Sequence, residues 1–176
     1  QEKVRACALQ MLQEADIALF VCDAKAGVLP EDREIAKLLH KTGKKVLLID
    51  LDPRADLTFN LGFERSRETI FEMLNGSVLT SSNDITTDER FDFVGSDSRL
   101  SALTQPDSLK TFLTSSAQKF DVVIVDTPST IDPRLAMAFH AADAVVIPVG
   151  ASIHSVRGGI STNRIESKAR KFILPT

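Results

Sequence analysis

Short apolar runs rich in Val, Ile and Leu recur along the 176-residue chain, and they constrain its fold more than any other feature. Amphipathic stretches of helical period separate them, an alternation typical of βαβ units whose parallel strands are covered by helices on both faces. The clearest predicted strands are Ile17–Cys22, Val46–Ile49, Val122–Val125 and Ala144–Val149, and Phe91–Val94 and Phe172–Leu174 are weaker candidates. The sequence therefore predicts a three-layer, doubly wound α/β domain with a mainly parallel sheet of about five or six strands.

Helices are predicted in the segments between these runs. Pro30, followed by two acidic residues, is a typical helix start, and Gly43 is a typical stop. The predicted helices are Val4–Glu14, Glu31–Lys41, Thr69–Leu74, Leu109–Lys119, Arg134–His140 and Val156–Arg170. Gly76–Arg90, rich in Ser, Thr, Asn and Asp, is predicted to be an exposed loop. Because no linker or repeat interrupts the pattern, we expect one domain over residues 1–176.

Composition limits the classes of function. With 43% hydrophobic residues, 26% charged residues and a net charge of −3, the chain shows no overall attraction to nucleic acid or membrane. No apolar run approaches the roughly 20 residues of a membrane span. Cys7 and Cys22 lack metal-ligand spacing and are interpreted as reduced core thiols, which predicts a cytoplasmic location. The final run before Thr176 resembles a strand with nothing after it, so we expect a truncated chain and an exposed sheet edge.

Acidic residues follow two of the predicted strands. Asp50 and Asp52 end the second strand, and Asp126 ends the strand that starts at Val122; a proline comes soon after each. Ligands of open parallel sheets lie beyond the carboxyl ends of the strands, where carboxylates can hold Mg²⁺ through water or orient an attacking water. The alternative is that these carboxylates only terminate strands and cap the following loops. Their joint occurrence favours a site.

Three blocks in a consistent order resemble the ParA/MinD ATPases, which partition plasmids and position division sites. They are Lys45–Gly62, Phe120–Ser129 and Ala141–Val149, within a resemblance that extends from about residue 44 to 176. The resemblance implies a P-loop-NTPase-like fold. It also implies that Asp52 positions water, that Asp126 reaches Mg²⁺ through water, and that Thr127 belongs to the second switch.

The phosphate-binding loop departs from this family. ParA-like proteins carry a loop of the form K-G-G-x-G-K-[ST], and by position Lys25 and Gly27 fall on its first lysine and one glycine. Leu29 then replaces a glycine, Pro30 replaces the lysine that reaches the phosphates, and Glu31 replaces the hydroxyl residue that binds Mg²⁺. The resemblance therefore leaves Lys25, Gly27 and Thr127 as the only cofactor-binding candidates and Asp52 and Asp126 as vestigial catalytic candidates.

The first part of the chain resembles a different family, the EngA/Der GTPases of ribosome assembly. The resemblance covers about residues 8–43 and is strongest over Glu14–Ala36, a stretch that binds no phosphate in that family. The guanine-reading N-K-x-D motif is missing, because the next strand runs into Asp50 and Asp52 instead. We interpret the chain as a hybrid joined near Gly43–Val46, with an engineered chimera as the leading interpretation.

Three functions remain in competition. The first is a scaffold without efficient nucleotide hydrolysis, for which no cofactor is expected. The second is a degenerate partition ATPase that binds Mg-ATP weakly and contacts DNA nonspecifically through Arg164, Lys168, Arg170 and Lys171, although a solvated helix face explains these charges more simply. The third is an interaction module that self-associates through the loop at Gly76–Arg90 or the sheet edge after Thr176.

Overall fold

The computed structural model describes residues 45–63, 68–77, 85–86 and 91–176. The chain forms two compact units, residues 1–44 and residues 45–176, and all described residues belong to the second. The predicted strand Ile17–Cys22 and the predicted helices Val4–Glu14 and Glu31–Lys41 lie outside the described residues, as do Lys25 and Gly27. The expectation of one domain over residues 1–176 stays a prediction.

Strands and helices alternate through the second unit. In chain order its elements are β1 (Val46–Asp50), α1 (Asp56–Asn60), α2 (Ile70–Leu74), β2 (Ile85–Thr86), β3 (Phe91–Val94), a 3-10 helix (Ser98–Ala102), α3 (Ser108–Ser116), β4 (Val122–Asp126), α4 (Pro133–Ala141), β5 (Ala144–Val149), α5 (Ile153–Asn163) and β6 (Arg170–Pro175). Every strand predicted within the described residues is present, with ends that differ by at most two residues.

The described strands form two sheets. The first has the order β2-β3-β1-β4, in which β1 runs parallel to both β3 and β4, and β2 runs antiparallel to β3. The second sheet pairs β5 with β6 in parallel. The mainly parallel α/β fold is therefore confirmed. Among the described strands, β4 and β5 are not hydrogen-bonded to each other. Because the predicted strand Ile17–Cys22 lies outside the described residues, the expectation of one sheet of about five or six strands stays a prediction.

Burial follows the position of each strand in its sheet. Leu47 and Ile49 of the central strand β1 are fully buried, in a core that also contains Ile70, Leu109 and Met137 from the surrounding helices. A strand covered on both faces needs a continuous apolar run, and β1 has one.

The strands outside the centre are less buried than their apolar runs predict. On β4 the side chain of Ile124 is 51% exposed, and on β5 Val146 is 44% exposed beside its cross-strand partner Phe172, which is 52% exposed. Among the described strands, β4 and β5 each pair on one side only.

Capping residues explain where the helices begin. Thr69 and Glu72 form a reciprocal capping box at the start of α2, and Asp132 accepts two backbone N–H groups at the start of α4, with Pro133 at the first position. Both patterns are readable in the sequence. None of the helices in the described part of the chain is long and apolar enough to cross a bilayer.

The last predicted helix is wrong at its carboxyl end. It was expected to run from Val156 to Arg170, but α5 ends at Asn163 and Arg170 begins β6. The chain turns back after α5 so that Arg170 pairs with Ala144. Helical periodicity cannot reveal this, because the turn is fixed by pairing with a distant strand. The sequence also missed α1, the 3-10 helix and β2, the last of which lies inside the predicted Gly76–Arg90 loop.

Candidate functional site

Two of the predicted acidic strand ends lie side by side. Asp50 and Asp126 are register partners at the carboxyl ends of β1 and β4, and the Leu51 N–H donates to the Asp126 carbonyl oxygen at 2.9 Å. Asp52 follows two residues after Asp50. The structure thus brings together the acidic candidates of the sequence at the edge where open parallel sheets bind ligands.

Asp50 has a structural role. Its side chain is fully buried, and its carboxylate accepts hydrogen bonds from the Asp52 N–H at 3.0 Å, the Thr58 N–H at 2.9 Å and the Thr58 hydroxyl at 2.7 Å. A buried carboxylate requires such donors. The interpretation that a strand-end carboxylate caps the following loop therefore applies to Asp50.

Asp52 sits in a tight turn and is half-buried. One oxygen of its carboxylate accepts the Arg54 N–H at 2.9 Å, and its carbonyl oxygen accepts the Ala55 N–H at 2.9 Å. Ala55 has a φ of 56°, a left-handed conformation that is uncommon for a residue with a Cβ. Arg54 is exposed and pairs with Asp56 at 2.6 Å. The second oxygen of the Asp52 carboxylate accepts no hydrogen bond from the part of the chain that the structure describes.

Asp126 lies in an anionic environment. The pKa of its carboxyl group is raised, first because the group loses hydration and then because the carboxylates of Asp50, Asp52 and Asp56 repel its charge. A backbone hydrogen bond from Thr127 opposes this rise. The charged groups that act most strongly on Asp126 are thus all negative, so the site favours a proton or a cation.

The donor set suits a water-mediated Mg²⁺ contact better than a dedicated metal cage. Within the described ranges no three His, Cys, Asp or Glu side chains are arranged to hold a metal ion. Mg²⁺ often keeps several waters and binds through one or two carboxylates together with substrate phosphates. Asp126 fits that role, and it would supply one carboxylate. Thr127 follows it and is half-buried.

Sequence reasoning missed the residues that hold this edge together. The Thr58 hydroxyl donates to Asp50 and accepts the Ser96 N–H at 2.8 Å, which joins α1 to the ends of β1 and β3. Thr58 lay inside a block that resembled the ParA/MinD family but received no role. A polar residue between apolar neighbours in that block was the available signal.

A second polar cluster lies after β3. Two nitrogens of the Arg99 guanidinium donate to the Asp97 carboxylate at 2.9 and 2.7 Å, and these bonds contribute most to lowering the pKa of Asp97 to about 2. Thr69 donates to the same carboxylate at 2.6 Å, and Glu72 pairs with Arg99 at 2.6 Å. The cluster fixes the start of α2 against the segment after β3.

The basic candidates do not lie on one helix face. Arg164 follows the end of α5, Lys168 lies in the connection, and Arg170 and Lys171 point to opposite faces of β6. The Lys171 ammonium group donates to the carbonyl oxygens of Asn163 and Ile165, so it has a structural role. The expectation of a basic last helix is therefore wrong.

Known proteins are similar to this chain over the part that carries these elements. The model of the AAA domain family matches residues 31–171. The chromosome-partitioning ATPase Soj of Thermus thermophilus is 30% identical over 131 residues, which are 70% of this chain and 50% of that protein. The chain thus spans about half the length of this curated relative. GTPase Der of Caldanaerobacter subterraneus is 53% identical over 38 residues, 22% of this chain and 9% of that protein.

A solved structure agrees with the longer of these similarities. Cobyrinic acid a,c-diamide synthase from Mycobacterium smegmatis superposes with a TM-score of 0.66 at 26% identity, over 78% of this chain and 64% of that protein. The match to the family model covers β1 to the start of β6, including both acidic strand ends. The chain belongs to the AAA domain family and is a P-loop ATPase-type domain of the ParA/MinD kind.

Proposed function

We propose that this chain is a ParA/MinD-type domain that does not hydrolyse nucleotide efficiently, because it lacks the loop that holds the triphosphate. A P-loop binds phosphate by directing successive backbone N–H groups and a helix N-terminus at the anion. By position in the family loop, Pro30 would remove one such donor, and Glu31 and Asp32 would put negative charge where the family binds phosphate. Like charges about 4 Å apart cost on the order of 4 kcal/mol at an effective dielectric constant near 20.

The observation that carries this proposal is the negative environment of Asp126. Asp126 is exposed, but the three neighbouring carboxylates already make a further negative charge unfavourable at this position. Arg54 lies two residues after Asp52, and its guanidinium is engaged by Asp56. A triphosphate at the strand ends would therefore need Mg²⁺ and Lys25 to offset its negative charge. Lys25 and Gly27 are poor replacements for the family loop.

A hybrid origin accounts for the missing loop. The similarity to GTPase Der is short and high, whereas the similarity to Soj is long and moderate. The boundary between the two compact units falls between residues 44 and 45, inside the predicted join Gly43–Val46, whereas the match to the family model begins earlier, at residue 31. We propose that a strand–helix unit of the GTPase type replaced the family's first strand, loop and helix.

Calorimetric titration of ATP and GTP into the purified protein with millimolar Mg²⁺ tests the proposal. We expect no heat of binding at high micromolar protein and no phosphate release above the uncatalysed rate. Asp126→Ala serves as the site variant. Asp143→Ala is the matched control, since Asp143 is exposed and precedes β5 at the opposite, amino end of a strand. A micromolar dissociation constant for ATP that Asp126→Ala abolishes and Asp143→Ala preserves would refute the proposal.

The second candidate is a degenerate partition ATPase that binds Mg-ATP weakly. The observation that favours it is the pairing of β1 with β4, which sets Asp52 and Asp126 at neighbouring strand ends. Asp126 would hold Mg²⁺ through water, Asp52 would position water, and Thr127 would follow the metal ligand. This candidate requires that ATP binding disappear when Mg²⁺ is chelated.

DNA contact belongs to the same candidate. Arg164, Lys168 and Arg170 are exposed and provide the positive charges, while Lys171 is occupied by carbonyl oxygens. Nonspecific binding of this kind weakens steeply with salt. A gel-shift titration at two salt concentrations, with a variant that replaces the three exposed residues by Gln, would separate a phosphate-backbone surface from ordinary solvated charges.

A further inference from the structure

Thr58 joins three segments that meet at the strand ends. Its N–H and its hydroxyl both donate to one oxygen of the Asp50 carboxylate, at 2.9 and 2.7 Å, and its hydroxyl oxygen accepts the Ser96 N–H. The side chain is 3% exposed. One residue therefore connects the end of β1, the helix α1 and the segment after β3.

Helix α1 has little else to hold it. It contains five residues, its N-cap Ala55 is left-handed, and no side chain caps it. Of its two large apolar residues, Phe59 is 67% exposed and Leu57 is half-buried, and Thr58 is the one buried residue of the helix. Isolated helices this short are unstable in water, so tertiary contacts must fix the helix. Thr58 supplies them.

The turn that carries Asp52 is bounded by these contacts. Asp50 accepts the Asp52 N–H at the start of the turn and both Thr58 donors at its end. We propose that Thr58 is the positioning residue of the strand-end site, because its hydroxyl closes the Asp52 turn on Asp50 and ties it to Ser96. The proposal rests on the second candidate function only in taking Asp52 and Asp126 as that site, and the Thr58 contacts do not depend on whether nucleotide binds there.

Two substitutions test the Thr58 hydroxyl and methyl group separately. The Thr58 methyl carbon and hydroxyl oxygen would lie 3.0 and 3.2 Å from a Cβ added at Gly95, so the glycine leaves just enough room for both groups. Thr58→Val keeps this shape but removes the donor to Asp50 and the acceptor for the Ser96 N–H. Thr58→Ser keeps both hydrogen bonds and removes only the methyl group. The Ser96 hydroxyl has no hydrogen-bond partner among the described residues.

Hydrogen–deuterium exchange without nucleotide tests the proposal. In Thr58→Val we expect peptides covering residues 51–60 and 95–97 to exchange about ten- to a hundredfold faster, since buried groups lose their partners. Thr58→Ser should restore slow exchange. Peptides from α3 and α4 should be unchanged in both variants. Because no ligand is present, absence of nucleotide binding leaves this test intact.

Three results would overturn the assignment. Unchanged exchange in Thr58→Val would show that the Thr58 hydroxyl does not stabilise the Asp52 turn. If exchange in Thr58→Ser were as fast as in Thr58→Val, the methyl group and not the hydroxyl would stabilise the turn. A uniform increase across α3 and α4 would indicate general destabilisation. If Thr58→Val fails to fold, Gly95→Ala is the second variant, because its Cβ would crowd both the methyl group and the hydroxyl of Thr58. It should accelerate exchange in residues 51–60, with partial recovery on adding Thr58→Ser, which removes the nearer atom.

Discussion

Adjacent glycines in α5 should respond oppositely to alanine. A Cβ at Gly158 would meet nothing within 4 Å, whereas a Cβ at Gly159 would lie 2.6 Å from the Val149 Cγ2 atom on β5. Replacing glycine by alanine inside a helix contributes about 0.5–1 kcal/mol. Gly158→Ala should therefore stabilise the protein by that amount.

Gly159→Ala gains the same backbone term but must displace Val149. Valine is stiff about χ1, and overpacking a well-filled contact costs about 1–3 kcal/mol. The net effect is a destabilisation of about 0–2.5 kcal/mol. The two variants should thus differ by about 1–3 kcal/mol in free energy of unfolding, although they are neighbours with the same chemical change.

Urea denaturation of the two variants and the wild type measures this difference directly. Comparable m-values would show that midpoint shifts report stability. Val149→Ala removes the atom that the new Cβ would strike, so Gly159→Ala should be less harmful in that background, with a measurable coupling energy. Equal midpoints for Gly158→Ala and Gly159→Ala would refute the close packing of α5 on β5.

Three further predictions concern charged groups. Asp126→Asn should raise the free energy of unfolding at pH 7, because the raised pKa of Asp126 means that ionisation of this group opposes folding. The gain should vanish in acid, below the ordinary aspartate pKa, and a variant that is destabilised at pH 7 would contradict the repulsion. Asp97→Asn should lower the free energy of unfolding by about 1–2 kcal/mol at pH 7, a modest loss because Arg99 is half-exposed and its charge is screened. The advantage of the wild type should be present above the ordinary aspartate pKa and fade as the pH falls toward about 2, and a pH-independent difference would count against the ion pair. Asp132→Ala should lower the free energy of unfolding, measured by heat or urea, by about 1 kcal/mol, because it removes the cap of α4. Asp132→Ser is the control that retains a capping oxygen, and equal losses of stability in both variants would contradict capping.

Local signals in the sequence predicted most of the second unit. The run Val46–Ile49 is continuously apolar because β1 is covered on both faces, and Asp132-Pro133 and Thr69 with Glu72 mark helix starts by their own chemistry. The strand-end position of Asp126 also follows from the sequence, because a carboxylate after a buried strand must emerge at the sheet edge.

The sequence by itself determined the strands, the helix starts and the two acidic strand ends, because each depends on a short stretch of chain. Tertiary structure alone decided that the Asp50 carboxylate accepts its hydrogen bonds from Thr58 and that three carboxylates act on Asp126. It also decided that the helix ends at Asn163 and that Arg170 begins a strand instead of ending that helix. These outcomes depend on partners that lie far apart in the chain, such as Ser96 for Thr58 and Ala144 for Arg170. Local periodicity carries no information about such pairs, and only the packed sheet brings them within hydrogen-bonding distance.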